Sequence, residues 1–233
     1  MRGDVAGFIA RTNARPGLVV VAPHPDDESA GCGGLIAGCR RRGVPVRIVQ
    51  LTDGAASHRS EQWPPRRLAV LRAGEMDRAA RSLGVQEAVV RLGFADAGRP
   101  TLQDERSASR RLADMILRWR PGLVLTTWRR EPHCDHQLAY RIARCACDAS
   151  GTALAEYLVW TPITGRPPDR PDRKDGVPFD IVLSGEERKA KRRALGCHES
   201  QRGRIVTDDP TGFVLTPAVE VRMTGPFERY VLP

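Results

Sequence analysis

Lysine is scarce: of 37 basic residues in 233, only Lys174, Lys189 and Lys191 are lysine, so the formal charge of +9 rests on arginine spread along the chain. A chain built to grip nucleic acid concentrates its cations, because clustered Lys and Arg release counterions from phosphate. Dispersed arginine among abundant Ala, Gly and Pro reads instead as the coding bias of a GC-rich genome. Aromatic residues make up only 5%, which leaves few platforms for stacking single-stranded bases. Nucleic acid is not an expected partner.

Long apolar runs are also missing. The longest, Leu18 to Ala22, is far below the roughly 20 residues needed to cross a bilayer. No run near Met1 resembles the apolar core of a signal peptide. The six cysteines (Cys32, Cys39, Cys134, Cys145, Cys147 and Cys197) contain no CxxC pair, and a chain of this length has interior enough not to need disulfides. The expected setting is a reducing cytoplasm, with no membrane span. Oligomeric state is not legible.

What is present is alternation. Short β-branched runs at Leu18–Ala22, 45–51, 88–92 and Leu123–Thr127 alternate with amphipathic stretches at 35–42, 66–83 and 105–119, the pattern of βαβ units on a mostly parallel sheet. Gly84 and Pro121 stand where the second and third of these helices should stop. Leu138, Ile142, Cys145 and Ala149 form a further apolar stripe, which makes those cysteines core rather than ligands. Residues 165–178 are proline-rich and charged, and read as a surface loop or lid. A basic helix over 185–195 and short β segments to Pro233 complete a single α/β domain over 1–233, Rossmann-like, with helices on both faces of a twisted sheet. Gly31-Cys32-Gly33-Gly34 lacks the GxGxxG spacing of a phosphate cradle and fits close packing of helix on sheet better.

Two segments concentrate reactive residues. Pro23-His24-Pro25-Asp26-Asp27-Glu28 follows the first strand, and Pro132-His133-Cys134-Asp135-His136 follows the strand at Leu123–Thr127; together they hold three of the five histidines. Both lie at carboxyl ends of parallel strands, where open α/β sheets bind ligands. A catalytic zinc needs about three protein ligands and an open position for water, and His24, Asp27 and His136 can supply that set, for zinc or another divalent ion. Asp26 is then free to take a proton from water whose pKa the metal lowers toward about 7. His133 can protonate an amide's leaving nitrogen or stabilise its oxyanion, with Asp135 holding its tautomer. Taken alone, the first segment is also a proline-stiffened turn whose aspartates cap the next helix; the second segment at a neighbouring strand end argues against that.

At these residues the sequence resembles the LmbE-like, or PIG-L, deacetylases. Val21-Ala22-Pro23-His24-Pro25-Asp26-Asp27-Glu28 is similar to their (A/P)HPDDE signature, and His133-Cys134-Asp135-His136 to their HxDH. Leu51-Thr52-Asp53-Gly54, the Arg72–Glu75 RxxE pair and the 191–201 segment KRRALGCHESQ extend the likeness across most of the chain. Cys134 stands where proline is common, which leaves the ligand spacing intact. The resemblance implies a Rossmann-like fold, a divalent metal that is usually zinc, and hydrolysis of an N-acetyl group on a small glucosamine-containing glycoside. It implies metal ligation by His24, Asp27 and His136, a general base in Asp26 and an acid or electrophile in His133. It also makes Arg72 and His198 candidate substrate contacts. Two alternatives stay open: a related amidase cleaving another acyl or thiol-conjugate amide, and a non-enzymatic, metal-organised module that binds an acidic partner.

Overall fold

The computed structural model describes residues 1–14, 16–160, 171 and 174–233, and its strands form one eight-stranded sheet. In chain order they are β1 (Arg2–Gly3), β2 (Leu18–Ala22), β3 (Val46–Thr52), β4 (Val90–Phe94), β5 (Leu123–Thr127), β6 (Ala153–Tyr157), β7 (Val177–Val182) and β8 (Phe227–Leu232). The described helices are α1 (Val5–Thr12), α2 (Asp27–Arg41), α3 (Pro65–Ser82), α4 (Leu102–Trp119), α5 (Cys134–Ser150), α6 (Gly185–Gly196) and α7 (Pro217–Met223), with a 3₁₀ turn at Glu199–Arg202. No described helix is long and apolar enough to cross a membrane.

The strand order is β1-β7-β8-β6-β5-β2-β3-β4. All pairings are parallel except those of β8, which runs antiparallel to β6 and β7. The expected Rossmann-like, mostly parallel sheet is therefore the observed one. Strand β2 is buried along its whole length, as a strand covered on both faces must be. Val19 and Val21 pack with Leu112 and Ile116 of α4 and Ile142 of α5. Leu18, Val20 and Ala22 face the opposite layer with Phe8 of α1 and Leu35 and Ile36 of α2. From β2 the chain moves outward through β3 and β4, and then returns to place β5 on the other side of β2. This reversal puts the switch point of the sheet between β2 and β5.

Helix α2 begins eight residues before the expected Leu35 and runs through Gly31-Cys32-Gly33-Gly34. Propensity argues against a helix there; packing overrides it. A Cβ on Gly31 would strike the Tyr157 ring, and one on Gly34 would come within 2.5 Å of Leu183. The bare backbone thus lets the helix lie close on its neighbours. The helix is irregular at Cys32 (φ −140°, ψ 19°), and Glu228 of β8 accepts the Gly34 and Leu35 N–H groups at 2.8 and 2.9 Å where it resumes.

Three further expectations change. Strand β4 lies two residues later than the sequence pattern implied, and in α5 the buried stripe is Leu138, Ala139, Ile142, Ala143, Ala146 and Cys147, while Cys145 and Ala149 are exposed. The tail holds a 3₁₀ turn and α7 before its one strand, rather than β segments alone. Of the expected loop at 165–178, residues 165–170 and 172–173 lie outside the described residues, and Val177 and Pro178 already belong to β7, paired with Leu232 and Val231.

Glu228 is buried with Lys191 Nζ at 2.8 Å and the Tyr230 hydroxyl at 2.8 Å. Replacing it strands a buried ammonium and two helix N–H groups. Glu228→Leu is expected to cost about 3–5 kcal/mol, measured as a lowered midpoint in urea unfolding; an unchanged midpoint would remove this network from the account of the kinked helix.

Candidate functional site

The reactive loops leave β2 and β5 side by side, because Leu18, Val19 and Val20 pair in register with Leu123, Val124 and Leu125. The first loop is pinned to β3 by the Thr52 N–H and hydroxyl, each donating to the Pro23 carbonyl at 2.9 Å. Asp26 then turns the chain into α2 at φ +146°, a backbone conformation that a non-glycine residue holds only against a cost of about 1–3 kcal/mol. It sits at the N-cap position yet makes no side-chain capping bond. Its carboxylate instead accepts Arg72 Nη2 at 3.1 Å.

Asp27 lies between two histidines. Its Oδ2 is 3.2 Å from His24 Nδ1 and 3.3 Å from His136 Nε2, and it also accepts the His24 backbone N–H at 2.9 Å. Donor atoms on a tetrahedral ion held at 2.0–2.1 Å stand about 3.3 Å apart, which is the separation of the Asp27 oxygen from each of the two imidazoles. His136 is fully buried, and among the described residues neither of its ring nitrogens has a hydrogen-bond partner. Its Nε2 faces Asp27, and its Nδ1 lies 3.6 Å from Glu131 Oε2. Such nitrogens are costly unless something takes their lone pairs or protons. Burial works against a charged His136, but Asp27 and Glu131 outweigh it and lift its pKa to about 9. The same carboxylate is held well below its usual range, with burial opposing and His136 and His24 prevailing.

The other nitrogen of His24 is fixed from behind, with Nε2 3.1 Å from Asp135 Oδ2 and 3.3 Å from Asp96 Oδ1. Asp135 also accepts the Ala97 N–H, and Asp96 the Ala56 N–H, both at 2.9 Å. Carboxylates behind a ligand histidine fix its tautomer and ring orientation. The expected contact between the Asp135 carboxylate and His133 is replaced by this one. It is the Asp135 backbone N–H that reaches His133, donating to Nδ1 at 3.2 Å. A neutral His133 then carries its proton on Nε2, and burial followed by the charges of His24 and His136 keeps its pKa low. Its ring stands edge-on to His24 with centroids 4.6 Å apart.

His24, His133 and His136 converge as one donor group, with Asp27 in contact with His24 and His136, and a second group is His24, Asp96, His133 and Asp135. Its carboxylates already point at one nitrogen of His24 and accept backbone N–H groups, and Nδ1 of His133 is engaged. The uncommitted nitrogens are those of His136, whose Nε2 faces Asp27.

Asp26, Asp27, His24, His133 and His136 line a cavity of about 540 Å³. Arg72 reaches the same cavity with a buried guanidinium, Nη1 donating to the Gly54 carbonyl at 2.6 Å and Nη2 to the Pro25 carbonyl at 2.9 Å as well as to Asp26, while Nε has no hydrogen-bond partner among the described residues. His198 is fully buried behind the first loop, with Nε2 3.4 Å from Glu28 Oε1 and from Ser29 Oγ. It is not among the residues lining the cavity, whereas Gln201 is. Glu75 accepts the Ser200 N–H and hydroxyl at 2.7 and 2.6 Å. The RxxE pair thus ties the closing segment to α3 and holds Asp26 in place. Sequence reasoning missed Glu131 and Asp96, although both lie in loops at strand carboxyl ends, the former two residues before His133. Arg72→Met would strand the Asp26 carboxylate and two carbonyls, and is expected to cost about 3–5 kcal/mol in chemical unfolding. Arg72→Lys should not restore it, since a single ammonium lacks the planar fork that reaches three acceptors; full recovery with lysine would refute this role.

Residues 19–147, more than half of the chain, match the family model described as PIG-L: GlcNAc-PI de-N-acetylase. Over 205 residues, covering 82% of this chain and 84% of the relative, the sequence is 31% identical to a probable N-acetyl-alpha-D-glucosaminyl L-malate deacetylase 2 of Bacillus anthracis. It is 33% identical over 125 residues to the diacetylchitobiose deacetylase of Thermococcus kodakarensis, covering 52% of this chain and 45% of that protein, less than half its length. The fold matches the crystal structure of the A40926 pseudoaglycone deacetylase with a TM-score of 0.74, at 22% identity and with 94% and 97% of the two chains covered. With both signature loops meeting at one cluster and the family model spanning them, the chain belongs to the PIG-L family.

Proposed function

We propose that this protein is a divalent-metal-dependent N-deacetylase that releases acetate and a free amine from a small substrate containing an N-acetylated amino sugar. The observation that carries the reading is the Asp27 carboxylate shared between His24 Nδ1 and His136 Nε2, with the Asp26 carboxylate alongside in the same cavity. Two imidazoles and a carboxylate are a donor set that catalytic zinc uses. An ion held there supplies Lewis acidity that polarises the amide carbonyl and lowers the pKa of coordinated water toward about 7.

The protein's own groups have separate tasks. Asp26 takes the proton from the attacking water: burial lifts its pKa to about 6 despite Arg72, near the range where a general base works best. Arg72 sets the position of that carboxylate. His133, with its proton on Nε2, donates a hydrogen bond to the developing oxyanion, and the proton that Asp26 took from the water passes to the departing nitrogen. Asp135 and Asp96 orient His24, and Glu131 backs His136. The names of the Bacillus and Thermococcus relatives support an N-acetylglucosamine-type substrate.

Acetate release from N-acetylglucosaminides by metal-analysed protein tests the reading. Asp26→Asn is expected to retain the metal and lose about 10²–10⁴ in kcat, and His133→Ala about 10²–10³. His24→Ala and His136→Ala should lose the metal itself. Full turnover by Asp26→Asn, or by metal-stripped protein, would end this mechanism.

A further inference from the structure

The cavity has an apolar lining that the chemistry above leaves unused. Val159, Trp160, Phe213, Val214, Leu215 and Met223 form this wall, and the Trp160 and Phe213 rings meet at 5.6 Å between centroids, tilted by 57°. The wall is held in place rather than draped. The Phe213 N–H donates to the Ser57 carbonyl at 3.1 Å and the Leu215 N–H to the Gln201 carbonyl at 2.6 Å. Asp208 accepts the Ser60 hydroxyl and Asp209 the Arg59 N–H, both at 2.6 Å. Gly212 lies so close to the His58 ring that a Cβ would not fit. An acetyl methyl would cover only a small part of such a surface.

Charge argues the same way. Among the described lining residues Arg72 is the one cation of the Lys/Arg type, and its guanidinium already serves Gly54, Pro25 and Asp26. The lining also includes the aspartates Asp26, Asp27 and Asp96. A phosphate or carboxylate on the substrate would lose its hydration beside these groups, and no further Lys or Arg among the described lining residues could receive it. Ligand sites that combine an apolar wall with a few converging polar groups take ligands built the same way.

We propose that the substrate carries an uncharged aromatic or aliphatic group attached to its N-acylated amino sugar, and that Trp160, Phe213 and Val214 select for it. This rests on the deacetylase reading above. The group can sit on the glycosidic oxygen or on the acyl carbon, and either would present the same chemistry to the wall.

The test compares kcat/KM of the metal-loaded enzyme on N-acetylglucosamine, its phenyl and hexyl glycosides, N-hexanoylglucosamine and N-acetylglucosamine 6-phosphate. The phenyl or hexyl glycoside, or the hexanoyl amide, is expected to exceed the plain sugar by about tenfold or more, with the phosphate below it. A gain confined to the glycosides assigns the group to the aglycone, and one confined to the hexanoyl amide to the acyl chain. Phe213→Ser and Val214→Arg should pull the ratio of apolar to plain substrate toward one; Val214 is 39% exposed, so its replacement spares the core. Equal rates across the panel, or preference for the phosphate, would overturn the proposal while leaving the deacetylase reading intact. Calorimetric binding of hexyl glucoside, which has no amide, separates the two claims. Binding that weakens about tenfold in Phe213→Ser supports the apolar wall even if no acetate is released, a result that would count against the deacetylase reading alone. Absence of binding by the wild-type protein would count against the wall.

Discussion

Parallel pairing of β2 with β5 is the constraint on which the site depends. The two strands are far apart in sequence, and only their register, Leu18 to Leu123 through Val20 to Leu125, brings the HPDDE and HCDH loops to one crevice. The pairing is fixed because β2 buries alternate residues in opposite layers, so a slip by one residue would exchange the two sets. From that register follow the meeting of Asp27 with both histidines and the placing of Asp26 over the same cavity. Open α/β sheets present ligands at such switch points because adjacent connections leave toward opposite faces.

A crowd of buried carboxylates is the price of this arrangement, and each has its partners. Glu28 accepts the Asp26 N–H at 3.1 Å and the Ser29 hydroxyl at 2.6 Å, and Glu131 accepts the Val159 and Trp160 N–H groups at 2.9 and 3.0 Å. Backbone N–H groups stabilise these charges without bringing in competing cations, since buried ions are tolerated only when paired or hydrogen-bonded. Glu131 also links the cluster to the apolar wall: one of its oxygens faces His136 and both reach the backbone that carries Trp160. The polar cluster and the apolar wall therefore share a support.

Much of this was legible in the sequence, for identifiable reasons. Period and punctuation gave the alternating elements, and the density of His and Asp at two strand ends gave the cluster. Other features depend on contacts that no local pattern encodes. Helix α2 crosses a glycine run because Tyr157, Leu183 and Glu228 approach it from distant segments. Cys145 looked like core because the 138–149 stripe follows the buried face through Leu138 and Ile142 and then leaves it, since Ala146 and Cys147 carry that face onward. The carboxylate of Asp135 goes to His24 rather than His133, a choice set by the angle at which α5 leaves β5. Arg72 and His198 were expected to meet substrate, yet one is spent on Asp26 and two carbonyls and the other lies behind Glu28. Asp96 and Glu131 carry no signature of their own; their position at strand ends was the available signal.

The central claim is that Asp27 joins His24 and His136 in holding one divalent ion. X-ray absorption on zinc-loaded protein tests it most directly. The account predicts a first shell of two imidazole nitrogens with oxygen at about 2.0–2.1 Å, reduced by one imidazole in His136→Ala. A sulfur scatterer at about 2.3 Å, which would implicate the nearby Cys134, or a shell without imidazole, would contradict it.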